Sequence, residues 1–309
     1  MSLIDWFLES EPWTRYRALS DLLDLPETDP QVEAARAAML AHSHVQKLVQ
    51  TASEWAARPI KRHNDAAHPL YALSTLADFG VQVSDPGIRQ VIEAILAHQS
   101  PEGAFQSLVN IAPAFGGTGE DSWAWADCDA PTLLYILLQM GLSDHPAVQR
   151  AAEHLISLPV ENGYRCSAAA SLGKFRGPGR KGDPCPIANV YALKALSLLP
   201  DSAALPAVQR AVEMLLGHCQ RQKEVKYYLF GVGSDFRKLK APFIWYDLLH
   251  VLDVLTRFPW LRGDPRLQEM LAVLQAKTGA QGRFTVESQW LPWKEWEFGQ
   301  KKIPSRWLT

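Results

Sequence analysis

PIANVYALKALSLLPDSAALPAVQRAVEMLLGH (186–218) and APTLLYILLQMGLSDHPAVQRAAEHLISL (130–158) share a plan, and that plan decides the fold. Each opens on an almost wholly apolar stretch, crosses a turn and repeats the string PAVQRA, at 206–211 and 146–151. Behind the string, apolar residues recur three and four apart, the spacing of a helix with one buried face and one wet face. Its proline suits the first helical turn, where the backbone N–H has no intrahelical partner. The preceding stretch is apolar nearly all round and predicts a helix shielded on every side.

Three more units fit the same template. HPLYALSTLADFG precedes DPGIRQVIEAILAHQ, and APFIWYDLLHVLDVLTRF precedes DPRLQEMLAVLQAK. A fainter unit is WTRYRALSDLLDL before DPQVEAARAAMLAH. The apolar members begin near residues 13, 68, 129, 186 and 242. The repeats therefore cover about 13–55, 68–105, 129–165, 186–230 and 242–285, followed by a Trp-rich segment, 286–309. A period this long exceeds that of HEAT or TPR solenoids. It predicts one all-α domain, an (α/α) toroid of five to six hairpins with an apolar inner ring and an amphipathic outer ring. The alternative is an irregular helical bundle. A sixth place in the ring is either filled by the terminal segments or left incomplete. Strand patterns are short, KYYLFGV (226–232) being the clearest. The long loops at 106–126, 163–184 and 222–241 all enter inner helices, so they crowd one end, where a site is sought.

The totals exclude several classes of function. The 309 residues are 47% hydrophobic and 21% charged, with net charge -2 and pI near 6.5, so no basic surplus exists for nucleic acid. MSLIDWFLESEPW lacks the pattern of a secretory signal. No apolar run approaches the roughly 18 residues of a membrane span, although peripheral membrane contact stays open. Cys128, Cys166, Cys185 and Cys219 are far apart in sequence and read as reduced thiols of a cytoplasmic protein.

Polar residues gather where the inner helices begin. WADCDAP (125–131) sets Asp127, Cys128 and Asp129 before an apolar helix. Protonating an alkene or epoxide needs a carboxylic acid still protonated near neutral pH. Burial raises a carboxyl pKa, and a second carboxylate raises one of the pair further. Either aspartate is equally a plain helix cap, with Pro131 in the first turn. KRHNDAAHP (61–69) supplies His63 and His68, as hydrogen-bond partners of that acid, as metal ligands, or as a polar loop with His68 capping. KGDPCP (181–186) brings Asp183 and Cys185, read either as ligands or as a cap with a buried thiol. WYDLLH (245–250) places Trp245, Tyr246, Asp247 and His250 on the last inner helix. Trp123, Trp125, Trp245 and Tyr246, with Asp247, would line a substrate pocket, their ring faces stabilising a carbocation. Packing between helices is the commoner use of such rings. Arg176, Arg180 and Lys181, in a glycine-rich loop, would meet a diphosphate or stay solvated.

QSPEGAF (99–105) carries Gln99, Gly103 and Phe105 in the order Gln-x-x-x-Gly-x-aromatic, and KTGAQGRF (277–284) keeps Gly282 and Phe284. With the hairpin period, these resemble the prenyltransferase and squalene-cyclase repeat family over about residues 60–300. The resemblance implies a toroid with a deep apolar pocket at the inner-helix N-termini. WADCDAP is similar to the Asp-Cys-Thr-Ala motif of oxidosqualene cyclases. Asp127 would then be the proton donor and Cys128 its orienting neighbour, with Asp129 in place of the threonine. The class II terpene-cyclase motif, Asp-x-Asp-Asp, is less similar, Trp125 standing at its first aspartate. The implied function is protonation-initiated cyclisation or isomerisation of an isoprenoid, with His63 or His68 reprotonating the acid. Asp183-x-Cys185 resembles the zinc pair of protein prenyltransferase β-subunits, with His250 the third ligand to consider. The cofactor is thus none, or zinc. A non-catalytic toroid binding a lipid or a protein is the third reading.

Overall fold

The structure is a computed structural model. It describes residues 2–175, 180, 182–222, 224–225 and 231–309. Among these, twelve α-helices run in chain order: α1 Leu3–Leu8, α2 Pro12–Arg17, α3 Pro30–Ala41, α4 Ser43–Ser53, α5 Pro69–Phe79, α6 Arg89–Ala97, α7 Ala130–Gln139, α8 Pro146–Ser157, α9 Pro186–Leu196, α10 Pro206–Arg221, α11 Leu248–Thr256 and α12 Pro265–Gln275. Among the described residues the chain is mainly helical, with one short hairpin, β1 Ser107–Val109 with β2 Ser122–Ala124.

The two kinds of helix behave as their periodicity dictates. All eleven residues of α9 are buried, as are all of α5 except Asp78. By contrast, α8 buries only Ala147, Val148, Ala151, Ala152 and Leu155, one stripe of its surface. The apolar helices pack in sequence, α2 on α5, α5 on α7, α7 on α9 and α9 on α11. Amphipathic helices back them, α3 on α2, α4 on α5, α8 on α7, α10 on α9 and α12 on α11. Burial of continuous apolar surface between such layers is the main driving force for this arrangement.

Helix starts follow the X-Pro signals closely. Asp29, His68, His145 and Asp264 each precede a proline, and each side chain accepts from the backbone N–H two residues on. DPGIRQ departs from this pattern. Gly87 lies at φ +81°, so α6 begins only at Arg89, and Asp85 pairs with Arg36 at 2.6 Å instead. The 13–55 unit holds a third helix, α4, beyond the expected pair. The last inner helix, α11, starts at Leu248, because Asp247 accepts from the His250 N–H and caps it. Trp245, Tyr246 and Asp247 therefore precede α11, and only His250 of the four expected residues lies on it.

QSPEGAF is a joint between hairpins. The Gln99 amide donates to the carbonyls of Gly103 (2.7 Å) and Ala147 (2.6 Å), and Arg150 donates to its oxygen. Gly103 takes φ +109°, and a Cβ there would lie 2.8 Å from the Arg150 carbonyl oxygen. Only glycine meets both demands.

The entry loops interlock at one end. Ile60 bridges Val109, β1 pairs β2, Ala126 bridges Ala168, and Arg165 bridges Pro184. This relay ties the mouths of α5, α7 and α9 together. At the C-terminus, the Trp293 indole donates to the Ala66 carbonyl at 2.8 Å. Trp296 packs on Trp13 and Phe79, and Trp307 packs edge-on against Phe79. The Trp-rich tail thus covers α2 and α5. Residues of α2, α5, α7, α11 and the tail line one cavity of ≈ 700 Å³. Among the described residues no helix is long and apolar enough to cross a membrane.

Candidate functional site

The mouth of α7 collects the polar groups. Its entry segment is held by two backbone bonds to the next loop, Asp127 N–H to the Ser167 carbonyl and Ala169 N–H to the Trp125 carbonyl, both 2.9 Å. The same loop is pinned to the start of α9, where the Cys185 N–H donates to the Tyr164 carbonyl at 2.8 Å. Asn189, fully buried on α9, locks that join. It accepts from the Tyr164 N–H and donates to the carbonyls of Tyr164 and Cys185. A buried asparagine on an apolar helix is the sequence signal that would have revealed it, since such a group needs partners.

This pairing brings three thiols together, Cys128, Cys166 and Cys185. Hydrogen bonding to the Cys166 and Cys185 thiols, with burial, holds the Cys128 thiol well above the ordinary range. Cys185 is drawn down by its bond to Cys128, but Cys166 and burial outweigh this and push it up to about 12. All four cysteines are free of disulfides.

Asp127 and Asp129 diverge in role. Asp129 occupies the N-cap position of α7, yet its side chain caps nothing. One oxygen instead meets His63 Nδ1 at 2.8 Å, and the other is buried without a hydrogen bond. Burial pulls the His63 pKa down, but the Asp129 carboxylate more than offsets it, so the net shift is upward. His63 Nε2 is likewise buried and unpartnered. Tyr71 fixes this loop by donating to the His63 carbonyl.

Asp127 is 2% exposed, and neither carboxyl oxygen makes a hydrogen bond of full geometry. Burial, then the neighbouring Cys166 thiol, pushes its pKa up to about 8; the adjacent Ser167 offsets only part. Asp127 is therefore protonated at neutral pH. With Phe105, Pro131, Leu134 and His154 it lines a void of ≈ 10 Å³ between α7 and α8, room for about one water.

Several expected site residues have other roles. His68 accepts from the Leu70 N–H through Nδ1 and donates from Nε2 to the Arg58 carbonyl, 2.9 Å away. Both nitrogens are committed and burial lowers its pKa, so it serves as a neutral cap of α5. Trp123 stacks on His98 at 3.5 Å, and Trp125 sets its edge on His154 at 4.9 Å. Both fill space between elements. Tyr246 packs against Phe236, and Asp247 is wholly buried as the α11 cap, its pKa pushed up to about 7 by burial.

The zinc set does not assemble. Asp183 accepts from the Arg180 N–H, and Cys185 joins the thiol group at the α7 mouth. His250 lies inside α11, its Nδ1 bonded to the Trp245 carbonyl and its ring stacked on Phe243. Burial and the nearby Lys194 hold it well below the ordinary histidine pKa. Among the described residues, no three His, Cys, Asp or Glu side chains are placed to hold a metal ion. Arg180 is described, whereas Arg176 and Lys181 lie outside the described residues, as do residues 226–230 of KYYLFGV.

The ≈ 700 Å³ cavity lies at the other ends of the inner helices. Its floor is polar. Asp78 accepts from Tyr135 (2.6 Å) and from the buried Lys194 (3.1 Å), whose ammonium lies 4.3 Å from the Tyr135 ring centre. Neither Asp78 nor Lys194 figured among the expected site residues. A charge inside each apolar run was the available signal.

No family model matches this sequence, and no curated protein does either. A solved structure of a protein from Actinoplanes is similar at 15% identity and a TM-score of 0.44, over 89% of this chain and 73% of that one.

Proposed function

We propose that this chain is an acid–base enzyme acting on an apolar small molecule, with Asp127 as the proton donor. The observation that carries the proposal is the state of Asp127: buried, without a full hydrogen bond, and protonated at neutral pH. A carboxyl so placed still carries its proton at neutral pH, where a solvated one has lost it, so it has a proton to give to a passing alkene. The His63–Asp129 pair nearby supplies a second exchangeable proton and would return one to Asp127 after turnover. Cys128, bonded to two other thiols, would shape the acid's surroundings. An isoprenoid is the favoured substrate class, on the likeness of WADCDAP to the oxidosqualene-cyclase motif. The hairpins would close into an (α/α) ring, the Trp-rich tail standing between the last hairpin and the first. Packing of Trp296 on Trp13 and the Trp293–Ala66 bond support that closure.

Turnover of farnesyl and geranylgeranyl compounds, squalene and oxidosqualene by the wild type and Asp127→Asn tests the proposal. Loss of product in the variant, with the fold retained, supports it. Equal turnover would remove Asp127 as the acid. A second reading, a toroid that binds a ligand without changing it, is favoured by the ≈ 700 Å³ cavity at the opposite end. Extraction of a co-purified molecule that emerges chemically unchanged would favour that reading.

A further inference from the structure

We propose that the ≈ 700 Å³ cavity at the C-terminal ends of the inner helices is a separate binding site for an uncharged amphiphile, an apolar chain with a hydroxyl or carbonyl head. The proposal does not depend on the chemistry assigned to Asp127. The lining takes in residues of α5 and α7 from Thr75 and Tyr135 onward and none of the α7 entry segment, so the site is separate from Asp127.

The size suits a small molecule, since ligand pockets span roughly 300–1,000 Å³. The lining argues for the chemistry. All but one of its side-chain charges are matched within the chain: Arg17 with Asp21 at 2.9 Å, Asp78 with the buried Lys194 behind it at 3.1 Å, and Arg257 with Asp253 at 3.0 Å. Arg306, at the rim, donates to the Glu9 carbonyl and faces the Trp6 ring. A cationic head would meet no free carboxylate side chain, and an anionic head would meet only Arg306, which is already engaged in this way. The Thr14 hydroxyl and the Gln139 amide also line the cavity, and no hydrogen bond within the described chain uses them. Both groups donate and accept, which suits a neutral head that does the same. Phe7, Leu198, Phe243 and Trp307 offer the apolar wall for the chain.

The test compares three probes of one length, 1-decanol, decanoate and decylammonium, by calorimetry and thermal shift on the full chain. Decanol should bind at least about tenfold more tightly than either ion, a difference of about 1.4 kcal/mol. Gln139→Trp, which fills the cavity, should weaken decanol binding at least about tenfold. If that variant loses its helical circular dichroism, Ala18→Phe fills the cavity from another wall and should give the same loss. Asp127→Asn should bind decanol within about twofold of the wild type, so failure of one proposal leaves the other standing. Absence of decanol binding, decanoate binding as tight as decanol, or undiminished binding by the filled variant would each overturn the proposal.

Discussion

Replacing Asp127 by Asn should change how stability depends on pH more than it changes stability itself. Asp127 in the unfolded chain ionises near 3.8, and in the folded chain near 8. Between those values the folded state holds a proton the unfolded state has lost, so stability falls as pH rises through that window. At about 1.4 kcal/mol per pH unit, the interval is worth about 6 kcal/mol. Above pH 8 the penalty is fully present, and below 4 it is absent. Asn carries no such penalty, and its packing cost is the same at every pH. Urea denaturation of both proteins from pH 4 to pH 9 measures the difference directly. The variant should gain about 6 kcal/mol on the wild type between those limits, other carboxyls cancelling. A difference flat to about 1 kcal/mol would show that Asp127 ionises in the folded chain as it does in water.

Other substitutions probe separate joints. The His63 ring should titrate above its ordinary value by NMR, and in Asp129→Asn it should fall below that value, because burial then outweighs the smaller upward pull of Cys166. The stability this pair contributes is fully present below pH 6.5 and lost as pH rises through the raised value; denaturation of His63→Gln at pH 5 and pH 9 should show a larger deficit at the lower pH. Gly103→Ala should cost more than about 1 kcal/mol in thermal unfolding, because it imposes a Cβ at positive φ against the Arg150 carbonyl. Trp293→Phe should cost about 1 kcal/mol or more by removing the bond to Ala66, and hydrogen exchange should then rise first in the C-terminal tail.

Helical architecture was legible because its causes are local. The apolar runs of α7 and α9 and the amphipathic PAVQRA helices behind them folded as their periodicities demand. The start of α11 was not legible. Phe243, Ile244, Trp245 and Tyr246 continue the apolar run of that helix in sequence, while the Asp247 side chain begins the helix five residues later than the run does. At the α7 mouth, the likelihood of a His63 contact could be read from two adjacent mouths. Cys166 could not, because it sits inside a long loop and reaches the site only through pairing of Ala126 with Ala168 and Arg165 with Pro184. The cap explanation for Asp129 was equally good on sequence. It fails because His63 arrives from 66 residues away and takes the carboxylate. Asp78 and Lys194 lie 116 residues apart, so neither run alone reveals that the other neutralises it.

The protonation state of Asp127 is the point on which the proposed chemistry turns. Carbon-detected NMR of the full chain labelled at aspartate carboxyl carbons, with Asp127→Asn to assign the resonance, follows that one group through a pH titration. The structure predicts a midpoint near 8. A midpoint near 4, the value of a solvated carboxyl, would contradict it and leave the α7 mouth without its acid.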